Sequence, residues 1–277
     1  MRNGDALRLG IEARELLVAP AAKGARNGAC YVHQRLVGTP RPRVASAPAS
    51  GRIGMAKDRM AVLAAMMDQG VIPVFYHADA EVCRKVIQAC ANGGAKCVEF
   101  TNRGDFAAQV FLEVTRHFAS ADPSVIMGVG SIVDAPTAGL YIANGARFVV
   151  GPVLNPDVAK VCNRRKIPYS PGCGSATEIS QAEELGCEIV KIFPGGSVGG
   201  PDFVKAILGP CPWTRIMPTG GVDSTEESLR NWFEAGVACV GMGTNLITRE
   251  LLAKQDYSGL EAKVRSTLQL VRSIRGK

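Results

Sequence analysis

The sequence predicts an α/β chain whose parallel strands close into a (β/α)8 barrel, preceded by one helix and an N-terminal extension. Three observations carry that expectation. After Met55, strand-like apolar runs alternate with amphipathic segments, and eight such units in about 220 residues suit a small barrel. Strands separated by helices run parallel, with both faces covered. Glycine-rich tips follow several of the runs, at Gly128-Val129-Gly130, Gly172-Cys173-Gly174, Gly195-Gly196, Gly220-Gly221 and Gly241-Met242-Gly243. An open doubly wound sheet, the runner-up, would carry a GxGxxG turn after its first strand, and none stands there.

Each element has its own signal. Lys57–Gln69 reads as a helix, with Met60, Leu63, Ala64 and Met67 at helical spacing and Gly70 as its stop. Ile72–Tyr76 is the first strand. The helix Asp79–Asn92 then sets Val82, Val86, Ile87 and Cys90 on one face. Cys97–Thr101 and Val125–Val129 are the next strands, with helices over Asp105–Phe118 and Pro136–Asn144. Phe148–Val150 is the fourth strand, and Asn155-Pro156 starts the helix after it. Pro168–Ser170 is the fifth, followed by a helix from Ser175 to near Gly186. Ile189–Phe193, Arg215–Pro218 and Cys239–Met242 complete the strands, with helices over Asp202–Leu208 and Thr225–Ala235 between them. Tyr257–Ile274 is the closing helix.

Composition narrows the function. At 47% hydrophobic residues the chain can bury a sizeable core. No apolar run is long enough to cross a bilayer, and the polar, charged start does not read as a secretory signal. Nine cysteines occur without CxxC or zinc-ligand spacing. Cys83, Cys90, Cys97, Cys162, Cys187 and Cys239 sit in apolar patterns and read as reduced core residues, which favours a cytoplasmic location. Cys173 is a candidate to face the site, although no nearby residue offers it a base. The net charge is +7, but residues 1–54 hold nine Lys or Arg against three acids, so the barrel itself is near neutral. A nucleic-acid partner is therefore not expected. Residues 1–54, rich in Pro, Ala, Ser and Arg, are expected to be a disordered extension or to precede a true start at Met55; a targeting peptide is the third reading.

The most informative run is Ile189-Val190-Lys191-Ile192-Phe193-Pro194-Gly195-Gly196. By strand alternation Ile189, Lys191 and Phe193 share one face. An inward lysine near the carboxyl end of a barrel strand lies where barrel enzymes keep their chemistry. Desolvation favours its neutral amine, which attacks carbonyls and forms Schiff bases. The competing reading is a strand-end lysine that reaches solvent. In the second strand Cys97, Glu99, Thr101 and Arg103 share a face. Glu99 suits proton shuttling beside Lys191, and Arg103 suits a carboxylate held bidentately. A buried Glu–Lys ion pair is the structural alternative. The tips Thr219-Gly220-Gly221 and Gly243-Thr244 follow the last two strands, where barrels recurrently bind phosphate; tight turns alone are the alternative. Ser131 is inward by parity and is either a substrate donor or satisfied within its own loop. His33, His77 and His117 are scattered, so neither a metal site nor a cofactor is expected.

Taken together these residues resemble the 2-keto-3-deoxy-6-phosphogluconate (KDPG) and 4-hydroxy-2-oxoglutarate aldolase family over about residues 57–250. The matching motifs are Ile72-Pro73-Val74, Glu99-x-Thr101-x-Arg103, Gly128-Val129-Gly130-Ser131, Tyr169-Ser170-Pro171-Gly172 with Ala176-Thr177-Glu178, Val190-Lys191-Ile192-Phe193-Pro194, Pro218-Thr219-Gly220-Gly221-Val222 and Gly241-Met242-Gly243. The resemblance implies a homotrimer of barrels and a metal-free class I aldolase. Its substrate would be a 2-keto-3-deoxy-6-phospho sugar acid, cleaved to pyruvate and glyceraldehyde 3-phosphate. Lys191 would form the Schiff base and Glu99 would be the acid/base. Arg103, Thr219, Ser131 and Phe193 would bind the keto-acid part, and Gly220, Gly221, Gly243 and Thr244 the phosphate. Ser131 stands where threonine is usual and Thr244 where serine is usual. Gly195 replaces an alanine, which suggests a looser loop past the lysine. A phosphosugar isomerase or epimerase, or a non-catalytic phosphometabolite-binding barrel, is the alternative function.

Overall fold

Apolar runs too short to be helices become strands here, and capping side chains start most of the helices between them. The computed structural model describes residues 58–276; the stretch over residues 1–54 and the readings attached to it lie outside the described residues. The strand segments are β1 (Val71–Phe75), β2 (Cys97–Thr101), β3 (Ile126–Gly130), β4 (Val149–Val150), β5 (Tyr169–Ser170), β6 (Gly172–Cys173), β7 (Val190–Ile192), β8 (Ile216–Pro218) and β9 (Val240–Met242). Every pairing between them is parallel. One sheet has the order β5-β4-β3-β2-β1-β9 and a second the order β6-β7-β8. A parallel bridge between Thr219 and Gly241 links the end of β8 to β9, and Pro171 alone separates β5 from β6. The order of strands thus follows the chain and returns to β1, an α/β arrangement consistent with a TIM-type barrel.

The helices are α1 (Arg59–Gln69), α2 (Ala80–Asn92), α3 (Ala107–Ala121), α4 (Ala135–Ala143), α5 (Pro156–Arg165), α6 (Ala176–Glu184), α7 (Gly200–Leu208), α8 (Glu226–Glu234), α9 (Arg249–Ala253) and α10 (Tyr257–Ile274). Asp79, Asp134, Asn155, Ser175 and Thr225 each accept a hydrogen bond from the first turn of the helix they precede. These caps fix where the chain enters each helix, and so where the loops of the upper rim end.

Strand alternation divides the core in two. Val98, Phe100, Val190 and Ile192 face outward into the main cluster, where the strands meet α2–α8 and α10. Cys97, Ile126, Phe148, Ile189, Met217 and Cys239 face inward and form a second cluster with Val62, Leu63 and Met66 of α1. Helix α1 therefore plugs the amino-terminal end of the strands. Arg59 clamps it there, giving two bonds to the Glu188 carboxylate (2.7 and 2.8 Å) and one to Asn163 Oδ1 (2.7 Å).

Several sequence expectations shift. The buried face of α1 is Val62, Leu63 and Met66, not Met60, Leu63, Ala64 and Met67; Met60 is 69% exposed. Helix α3 starts at Ala107 rather than Asp105, because Phe106 adopts a left-handed φ of 61°. The fifth strand continues past Pro171 as β6; proline has no N–H to give the ladder, but its carbonyl accepts from Lys191 N at 3.0 Å. The short helix α9 carries no sequence signal. Among the described residues no helix is long and apolar enough to cross a membrane.

Candidate active site

One alternation above the inward cluster, the same strand faces carry polar groups. Glu99 lies on β2 between Val74 of β1 and Gly128 of β3, and Lys191 lies on β7 between Gly172 of β6 and Met217 of β8. They are 1% and 5% exposed, so both are desolvated, and their being there at all needs a reason. No ion pair joins them among the described residues. Glu99 Oε2 is buried without a hydrogen-bond partner. A Cβ at Gly130 would collide with Glu99 Oε1, so that glycine leaves the room the carboxylate occupies. The Lys191 ammonium position lies 4.6 Å from the centre of the Phe193 ring.

Burial pushes both groups towards their uncharged forms. It lowers the pKa of Lys191; Glu99 opposes that shift and Arg103 adds to it. Burial raises the pKa of Glu99, against the opposing pull of Lys191 and Arg103. The result is a lysine biased towards its neutral amine and a carboxyl biased towards its protonated acid, each felt electrostatically by the other.

A cleft of about 470 Å³ opens at the carboxyl ends of β1, β8 and β9. Arg103, Phe193, Thr219, Gly220, Gly221, Gly243 and Thr244 line it, together with Tyr76, Asn245 and Arg249, which the sequence had not singled out. Neither Glu99 nor Lys191 is among its lining residues; both are buried beneath the rim, and the Phe193 ring beside the Lys191 amine does line the cleft. Ser131 does not line it; its hydroxyl accepts from Arg103 Nε at 3.3 Å, and its φ is 62°. The turn that presents Arg103 is held by Asn102 N donating to Gly130 O at 2.9 Å and by Tyr141 OH donating to Asn102 Oδ1 at 2.8 Å. Thr219 Oγ1 is buried without a partner, in space that a Cβ at Gly241 would fill.

The loops after β7 and β8 are tied edge to edge. Gly195 N donates to Thr219 O at 2.9 Å and Gly196 N to Gly220 O at 3.0 Å. A Cβ at Gly195 would lie 2.8 Å from Gly220 O. The expectation of a looser loop is therefore corrected: this glycine lets the two loops close on each other. Gly220 and Gly221 both take left-handed φ values, 82° and 81°, open to glycine at no steric cost. Their amides, and that of Thr244, donate to no carbonyl among the described residues and remain available to an anion. Asn245 Nδ2 donates to Val222 O at 2.9 Å and ties the loop after β9 to the same rim.

Cys173 faces the outer core, and burial pushes its thiol up to about 12, so it is no nucleophile in this site. His77 Nδ1 accepts from Asp79 N at 3.0 Å and shapes the turn into α2. Among the described residues no cluster of three or more His, Cys, Asp or Glu gathers as metal ligands do.

Known proteins resemble this chain in sequence and in fold. The family model for KDPG and KHG aldolase matches residues 62–263. The 2-dehydro-3-deoxy-phosphogluconate aldolase of Treponema pallidum is 32% identical over 73% of this chain and 93% of its own length. The KHG/KDPG aldolase of Escherichia coli K12 is 26% identical over 72% of this chain and 91% of its own. A crystal structure of KDPG aldolase from Legionella pneumophila, with pyruvate captured at low pH as a covalent carbinolamine intermediate, superposes with a TM-score of 0.66 at 27% identity, covering 76% of this chain and 97% of that one. The chain belongs to the KDPG and KHG aldolase family, a family of aldehyde-lyases.

Proposed function

We propose that this protein is a class I aldolase that cleaves 2-keto-3-deoxy-6-phosphogluconate, or a close epimer, to pyruvate and glyceraldehyde 3-phosphate. The observation that carries the reading is a buried lysine, free of any direct ion pair, in the same interior layer as a buried carboxyl. The Lys191 amine attacks the C2 carbonyl and forms a carbinolamine. Loss of water, with Glu99 supplying and recovering protons, gives the protonated imine. Glu99 then takes the proton of the C4 hydroxyl, the C3–C4 bond breaks, and its electron pair passes into the imine to leave an enamine. The aldehyde departs. Glu99 returns the proton to C3, and water releases pyruvate and the free lysine.

In this reading Arg103 holds the substrate carboxylate, with Ser131 orienting its guanidinium rather than touching substrate. The unpartnered Thr219 hydroxyl and the Phe193 ring flank the keto acid. The amides at Gly220, Gly221, Gly243 and Thr244 receive the phosphate. The captured pyruvate in the Legionella relative supports the covalent step. The same reading takes the strands to form one closed (β/α)8 barrel and the active species to be a homotrimer.

Borohydride reduction in the presence of pyruvate tests it. A three-carbon adduct is expected at Lys191 by peptide mass spectrometry, and Lys191→Ala abolishes it. Wild-type protein left unlabelled under saturating pyruvate refutes the assignment. Turnover measured on the gluconate- and galactonate-derived epimers then fixes the substrate.

A further inference from the structure

We propose that Arg249 is a specificity-determining residue that selects substrates with a dianionic distal group; the inference rests on the aldolase reading and deepens it. The distal end of the cleft is built from neutral donors, the amides of Gly220, Gly221 and Thr244. Such donors bind an anion but discriminate weakly between a phosphate dianion and a smaller or less charged group. Arg249 adds the missing charge. It lines the same cleft, five residues beyond Thr244 and on the same connection after β9.

Its guanidinium is uncommitted. Among the described residues it makes no side-chain hydrogen bond and no ion pair. The neighbouring acid, Glu250, is engaged by Lys254 at 2.6 Å and so does not neutralise it. The backbone beneath it is fixed, because the Thr248 hydroxyl accepts from Leu251 N at 3.2 Å and starts α9 one residue before Arg249. A planar fork on an anchored backbone matches a phosphoryl group bidentately, which a lysine does not. Together with Arg103, it gives the cleft two cationic groups for a substrate with two anionic ends, a carboxylate and a phosphate.

Substrates that differ only at the distal end test this. For Arg249→Ala, kcat/KM for the 6-phosphorylated keto acid is expected to fall about 10- to 100-fold, mostly through KM, as for loss of one charge-assisted hydrogen bond. Turnover of the unphosphorylated 2-keto-3-deoxy acid is expected to stay within about twofold of wild type. Arg249→Lys should recover part of the loss. Thermal stabilisation by inorganic phosphate, read without any turnover, should weaken in Arg249→Ala. An equal loss on both substrates, or an unchanged phosphate response with pyruvate trapping intact, overturns the role of Arg249. Absence of trapping in the wild type, with the phosphate response still dependent on Arg249, overturns the Schiff-base step alone.

Discussion

Two levels of the strand interior, one alternation apart, behave as different materials. At the lower level Cys97 and Ile189 pack with α1 in a dry apolar cluster. Two residues further along the same strands stand Glu99 and Lys191, equally buried but chargeable. The lower level holds the strands in place and seals the amino-terminal end, so the lysine above it cannot reach water from below. The upper level takes the cost of burying two titratable groups without a direct ion pair between them. Packing alone would favour apolar residues there, as it does one step lower. The difference teaches that the lower half of this interior serves packing, whereas the upper half gives up packing stability to hold two titratable groups out of water.

After Lys191→Ala itself, the largest expected effect at the upper level is that of Glu99→Gln. The substitution keeps shape and removes the proton carrier. We expect cleavage, followed as pyruvate release, to fall about 10²- to 10⁴-fold, while slow trapping of pyruvate on Lys191 persists. A loss below about tenfold would mean that another group moves the proton. The next pair of variants sets the two levels against each other. Gly130→Ala puts a methyl against the Glu99 carboxylate, whereas Gly128→Ala puts one against the ring of Phe148 in the lower cluster. Gly130→Ala is expected to cost about 100-fold in kcat by misplacing the carboxyl, with little change in melting temperature. Gly128→Ala is expected to cost about 1–3 kcal/mol in denaturant unfolding, with the activity of the folded fraction kept. The opposite assignment of losses would erase the distinction between the levels.

Which parts of this were legible in sequence follows from how local each signal is. Lys191 and Glu99 stood out because a charge inside a five-residue apolar run has few explanations, and strand parity alone put each on the face of Ile189 and Cys97. Caps such as Asp79, Asn155 and Ser175 were legible for the same reason: the donor and acceptor lie within three residues. The buried face of α1 was not. Met60 through Met67 is apolar throughout, so periodicity allows several faces, and packing against Cys97, Ile189 and Met217 selects Val62 and Met66. Gly130 reads as a turn residue, but its function is space for a side chain from the neighbouring strand. Arg249 sits in a helix of five residues, too short to show any pattern.

The smallest expected effect is a titration, and it reads the upper level directly. Trapping needs the neutral amine, so its rate should rise with pH and level off, with a midpoint below the ordinary lysine value because burial lowers the Lys191 pKa. Glu99 raises that pKa and Arg103 lowers it. Removing the anion in Glu99→Gln should therefore move the midpoint down, and removing the cation in Arg103→Gln should move it up. Arg103 is exposed, so solvent and salt screen it, and its shift should stay under about one pH unit and shrink as salt is added. Glu99 is buried, so its shift should be the larger and nearly independent of salt. Linkage gives a second reading of the same groups. Between the lowered folded pKa of Lys191 and its unfolded value the folded chain binds fewer protons, so the contribution of Lys191 to stability rises with pH across that window. Glu99 does the reverse: its folded pKa is raised, so its contribution falls as pH climbs from the usual carboxylate value to that raised one. Trapping midpoints that move the same way in both variants, or in neither, would mean that the amine is set by burial alone and that the neighbouring charges do not tune it.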